Sequence, residues 1–178
     1  LRNKDRERCR QVSAIGSVLG TVPGFRSLAF FREDRNHPSF REWNGMNSQN
    51  LQQLIEVMEE MVSLELALAN LYQTCGEAFP EDLHFWLAIK HQEELHADSI
   101  RKMIVLVSAR PQDFAPGRAF NATAIRTIKN GILEHVEALK RRQISRIHML
   151  MIARDIEGSV LEAHYRDIVK TANVQFVE

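Results

Sequence analysis

Beyond about residue 48 the apolar positions recur at intervals of three and four, the period of helices that each bury one face. The first stripe runs Leu51, Leu54, Met58, Met61, Glu65, Leu68, Tyr72 and predicts a helix over 49–77, with Ser48 as its N-cap. Glu65 is the only charged residue on that row, whereas Glu56, Glu59 and Glu60 fall on other faces, where solvent suffices for them. Gly76 marks the expected end, and Pro80-Glu81-Asp82 opens the next helix with acidic residues where the helix dipole favours them. That second helix, 81–109, carries Phe85, Ile89, Glu93, His96, Ile100, Met103 and Val107 on one stripe and stops before Pro111. So short a connection makes the two an antiparallel hairpin, with Glu65 near the level of Glu93 and His96.

After a loop through Pro111, Phe114, Pro116 and Gly117, a third pattern over 119–141 places Ile125, Ile128, Ile132, Val136 and Leu139 on its apolar face, with Gly131 a weak point. From about 143 a further helix carries Ile147, Leu150, Arg154, Glu157, Leu161, His164 and Ile168. There Gly158, beside Glu157, is small enough to admit a close neighbour. Residues 1–45 mix Gly16, Gly20, Gly24, Pro23 and Pro38 with scattered aromatics and show no sustained period. They read as an irregular arm on a helical domain spanning 46–178.

Composition agrees with an all-α chain of one domain: 44% hydrophobic and 26% charged residues, with Gly 8 and Pro 5 both low. A formal net charge of +0 gives no general attraction to nucleic acid or an anionic membrane. Lys140-Arg141-Arg142, the densest basic run, reads as a solvated face or linker. No apolar run approaches the roughly 18 residues of a membrane span and no signal-peptide pattern is visible, so a cytoplasmic location is the expectation. Cys9 and Cys75 are isolated, which argues against a disulfide framework or a thiolate metal site.

The chemistry lies in the charged residues that share rows with aliphatic ones. A buried carboxylate is costly and is tolerated when it is paired, hydrogen-bonded or bound to a metal. Glu93 and His96 are three apart, so they project together from one helical face toward the core. Taken singly, each has an ordinary reading: the pair as a satisfied polar spot, Glu65 as the partner of an interhelical cation such as Arg154. Tyr72 and Tyr165 read first as core fillers, with hydrogen bonding to metal ligands as the alternative. His84 and His91 are expected at the surface. The segments from Glu65 to Tyr72 and from Glu157 to His164 form a degenerate repeat, each with a glutamate two turns before an aromatic side chain.

Residues 50–172, with an inward Glu65, then Glu93-x-x-His96, a long crossover and an inward Glu157, resemble the ferritin-like superfamily, and within it rubrerythrin-like proteins. The resemblance implies an antiparallel helical bundle whose Glu65, Glu93, His96 and Glu157 hold iron (a di-iron centre) or manganese. It also implies redox chemistry with oxygen or peroxide, of ferroxidase or peroxidase type. In that scheme carboxylates bridge and screen two cations while imidazole supplies a neutral nitrogen. Two departures follow. A second Glu-x-x-His at the interval separating Glu65 from Glu93 would fall beyond residue 178, and the Cys-x-x-Cys pairs of a rubredoxin-type electron relay do not occur. Under this alignment the fourth helix is missing from the sequence, is supplied by another subunit, or has been lost with the second metal position. A homodimer covering the open groove is the corresponding expectation. A second alignment takes 119–141 and 143–172 as helices three and four and offers Glu134 and Glu137 as carboxylates, both off the apolar face. Non-catalytic metal binding and a purely structural, dimerising bundle are the other functions in view.

Overall fold

The structure, a computed structural model, describes residues 46–117, 120–158 and 168–171. The arm over 1–45, and with it Cys9, lies outside the described residues, as do Leu161, His164 and Tyr165. Four helices form the body: α1 (Ser48–Ala78), α2 (Leu83–Ala109), α3 (Ala122–Lys140) and α4 (Arg146–Glu157). The all-α expectation holds. Two short strands, β1 (Phe114–Pro116) and β2 (Val169–Thr171), pair antiparallel with Ala115 opposite Lys170.

Local chemistry sets the helix ends. The N-cap of α1 is Asn47, one residue before the expected Ser48, and its side-chain oxygen accepts from the Asn50 N–H at 2.8 Å. The helix runs through Gly76 to Ala78, and Pro80 then opens a 3-10 turn, Pro80–Asp82, that leads into α2. Gly76 does not end the helix. It is buried, and a Cβ there would lie 3.0 Å from Leu83 Cδ1 and 3.7 Å from Trp86 Cβ, so a glycine lets α2 come close. Gly158 plays the reverse part: it is the exposed C-cap of α4, with its N–H donating to Arg154 O, and among the described residues no other helix reaches the place of its Cβ. Asn121 caps α3 by accepting from the Thr123 N–H at 2.8 Å.

The core is one cluster shared by all four helices. From α1 it takes Met58, Met61, Leu64, Leu68 and Leu71, from α2 Trp86, Ile100, Met103 and Val107, from α3 Ile125, Ile132, Val136 and Leu139, and from α4 Met149 and Ala153. Each large side chain buried in this way contributes about 1.5–3 kcal/mol relative to an exposed one. Two expected core residues lie outside it. Ile128 sits at the edge of the α3 buried arc and is 43% exposed, and Ile147 is 70% exposed. The α4 stripe is turned relative to the expected one: Met149 and Ala153 face inward, Arg154 faces solvent, and Glu157 lies at the edge of the buried arc, half-buried.

Ion pairs fix the direction of α3. Arg126 meets Glu56 at 3.0 Å and Glu60 at 3.2 Å, and Lys129 meets Glu60 at 3.1 Å and Ser63 Oγ at 3.0 Å, so α3 runs parallel to α1. Glu56 and Glu60 are therefore engaged with α3 rather than merely solvated. The stretch assigned above to a crossover thus contains a helix of the bundle, and the chain supplies its own fourth helix, α4. That removes the missing-helix argument for a partner subunit. The final helix does not extend to 172, because β2 occupies 169–171. At the far end Arg146 clamps α4 to the α1–α2 turn: its Nη2 donates to Asp82 Oδ1 at 2.7 Å and its Nε to Asp82 Oδ2. Among the described residues no helix is long and apolar enough to cross a membrane.

Candidate functional site

Glu65 projects from the middle of α1 because it occupies a core position in a row otherwise filled by Met61, Leu68 and Tyr72. Its side chain is fully buried, and neither carboxylate oxygen finds a hydrogen-bond donor among the described residues. A carboxylate left in that state costs several kilocalories per mole unless it is protonated or meets a cation. From α2, one helical turn places Glu93 and His96 beside it. His96 Nδ1 lies 3.1 Å from Glu93 Oε2, within hydrogen-bonding distance, and 3.7 Å from Glu65 Oε2, which is a charge contact only. One ligand atom from each of Glu65, Glu93 and His96 lies within 4.8 Å of the other two. Glu93 is as buried as Glu65, whereas the His96 side chain is 34% exposed, so the cluster reaches solvent on the imidazole side.

Glu157 approaches from α4. Its Oε1 accepts a hydrogen bond from the Tyr72 hydroxyl at 2.7 Å, a short, charge-assisted contact. Three of the four residues singled out in the sequence form the tight group, and Glu157, bonded to Tyr72, lies outside it but close enough for Glu93, His96 and Glu65 to act on its carboxyl. Arg154, the alternative partner for Glu65, instead pairs with Asp155 at 2.8 Å on the surface. Glu134 and Glu137, the carboxylates of the second alignment, are exposed, and Glu137 pairs with Lys140 at 2.9 Å. His84 and His91 are exposed as expected.

The electrostatics follow from crowding acids in a dry interior. Burial pushes the Glu93 carboxyl up to about 9, opposed by His96 and reinforced by the neighbouring Glu65 and Glu157 carboxylates. Contacts with Glu65 and then Glu93 raise the His96 imidazole to about 10 against its own desolvation. Burial also raises Glu157, while its contacts with Tyr72 and Glu93 pull it down. In the metal-free protein the burial of Glu93 and the acids around His96 thus favour the protonated forms of these two residues.

Sequence reasoning did not find the aromatic support. Trp86, absent from the expected stripe, is fully buried on α2 and stacks on Tyr72 with ring centroids 6.0 Å and planes 22° apart. Its position one residue after Phe85 was the available signal. A cleft of about 560 Å³ lies elsewhere, lined by Thr74, Glu77, Phe79, Leu139, Arg142 and Ile144 among others, and includes none of these groups. The site defines a class: an all-α bundle with carboxylates and an imidazole gathered in its interior. No family model, curated protein or solved structure matches the chain.

Proposed function

We propose that this protein binds a divalent transition-metal ion, iron or manganese, at Glu65, Glu93, His96 and Glu157, in the manner of the rubrerythrin-like proteins its motifs resemble. The observation that carries the reading is Glu65, a fully buried carboxylate whose two oxygens have no hydrogen-bond donor among the described residues while a second carboxylate and an imidazole nitrogen stand within reach. The donor set suits such a metal, since carboxylate oxygens favour harder divalent ions and imidazole suits iron. His96 would donate through Nδ1, the nitrogen turned toward the carboxylates. Bound iron would supply one-electron chemistry toward oxygen or peroxide, the small-molecule oxidant in this reading. The chain's own residues hold the ion, exclude water on the Glu65 and Glu93 side, and leave the half-exposed imidazole side as the approach.

Elemental analysis of protein purified without chelator, then loaded anaerobically with ferrous iron or manganese, tests binding. The expected result is stoichiometric metal that Glu65→Ala strongly reduces. Peroxide-dependent oxidation of the ferrous-loaded protein would show turnover, and stable ferrous protein under peroxide would leave a non-catalytic metal-binding bundle. A second reading, a purely structural polar core, draws on the raised His96, whose imidazolium can itself neutralise the acids. Metal well under one ion per chain would select it.

A further inference from the structure

The residue that ties α4 to the site belongs to α1. Tyr72 is fully buried, and its ring is held against Trp86, which Phe85 braces edge-on at 4.9 Å and 70°. A ring enclosed on these sides has little rotamer freedom, so the packing of α1 on α2 sets where its hydroxyl lies. Helix α4 buries fewer side chains than the others: over Arg146–Glu157 Met149 and Ala153 are buried, and Leu150, Ile152 and Ile156 pack partly buried against the core. Polar contacts add a tie at each of its two ends, Arg146 with Asp82 and Glu157 with Tyr72.

We infer that Tyr72 is a positioning residue: by donating to Glu157 Oε1 it fixes the α4 carboxylate beside the Glu65, Glu93 and His96 cluster and leaves Oε2 as the oxygen that ligates metal. The ligand part rests on the metal-binding reading above, whereas the docking part does not. A hydrogen bond of this kind orients a ligand without touching the ion, and removing such a partner typically costs about 10–100-fold in metal affinity.

Tyr72→Phe keeps the ring and its stacking and deletes only the donor. Manganese affinity is measured by competition with a chelating dye in four proteins: wild type, Tyr72→Phe, Glu157→Ala and the double variant. Hydrogen exchange across residues 146–157 is followed in the same proteins without metal. Tyr72→Phe is expected to weaken manganese by about 10-fold or more, to have no further effect in the Glu157→Ala background, and to speed exchange in α4. Equal losses in both backgrounds would make Tyr72 a packing residue and overturn the inference, as would unchanged affinity with unchanged exchange. If the wild type binds no manganese, the metal reading fails, and the exchange result alone then decides whether Tyr72 holds α4.

Discussion

Helix α1 carries two sets of acidic side chains, less than three turns apart, that meet their cations in opposite settings. Glu56 and Glu60 face α3 at the edge of the bundle, where Arg126 and Lys129 reach them at 3.0–3.2 Å with water at hand. Glu65 faces the interior, and its nearest cationic group among the described residues is an imidazole at 3.7 Å. The first set is complete in the folded chain and worth little per pair, because exposed ions lose little by separating. The second is less complete, because among the described residues neither Glu65 oxygen has a hydrogen-bond donor. That difference is what the metal-binding reading proposed above would account for.

The sharpest way to break this contrast is to neutralise Glu65 while keeping its shape. Glu65→Gln is expected to weaken manganese or ferrous binding by at least about 100-fold, the upper end of what an outer partner costs, and, in the metal-free protein, to let the His96 imidazole titrate at lower pH, because Glu65 is the first of the contacts that raise it. Titration calorimetry reads the first effect and an NMR titration of the imidazole the second. Unchanged metal affinity in Glu65→Gln would show that Glu65 is a structural anion after all.

Next is pH. In the metal-free protein His96 is raised to about 10 and Glu93 to about 9, so the folded state holds protons that the unfolded chain has released. Stability from these groups is present below their unfolded values and falls as pH rises through the folded ones, so the metal-free midpoint should drop between about pH 5 and 9. Metal binding displaces those protons, so affinity should climb over the same range by about a decade per pH unit for each proton released. A pH-independent affinity would contradict the ligand assignment of Glu93 and His96.

The clamp at the far end of α4 gives a smaller effect. Arg146→Lys keeps the charge but loses the paired geometry toward Asp82, and should cost about 1–2 kcal/mol in denaturant unfolding, discounted for the partial exposure of the arginine. The smallest change is on the solvated side: Arg126→Ala should cost less than about 1 kcal/mol, and that cost should shrink further in high salt. A larger, salt-insensitive loss would erase the distinction between the two acidic sets.

Much of this site was legible because helical period is local. Glu65, Glu93 and His96 interrupt rows of aliphatic residues at spacings of three and four, and a long helix such as α1 or α2 leaves little freedom over which way such a row faces. The shorter α4 was misread by a rotation: Ile147 and Leu150 mark one plausible stripe, yet Met149 and Ala153 are what the bundle buries. Glycines were ambiguous for a similar reason, since Gly76 and Gly158 look alike in sequence and differ only in whether another helix presses on them. Contacts between distant residues left no local trace. Arg146 with Asp82 and Tyr72 with Glu157 join positions 64 and 85 residues apart, and strands of three residues are too short to show alternation.

The most direct measurement is anomalous diffraction from crystals grown with manganese. The account predicts an anomalous peak in the interior, about 2.0–2.2 Å from carboxylate oxygens of Glu65 and Glu93 and from a ring nitrogen of His96, by analogy with other first-row ions, and absent in Glu65→Gln. Peaks confined to the surface, with Glu65 still buried beside a bare imidazolium, would contradict it.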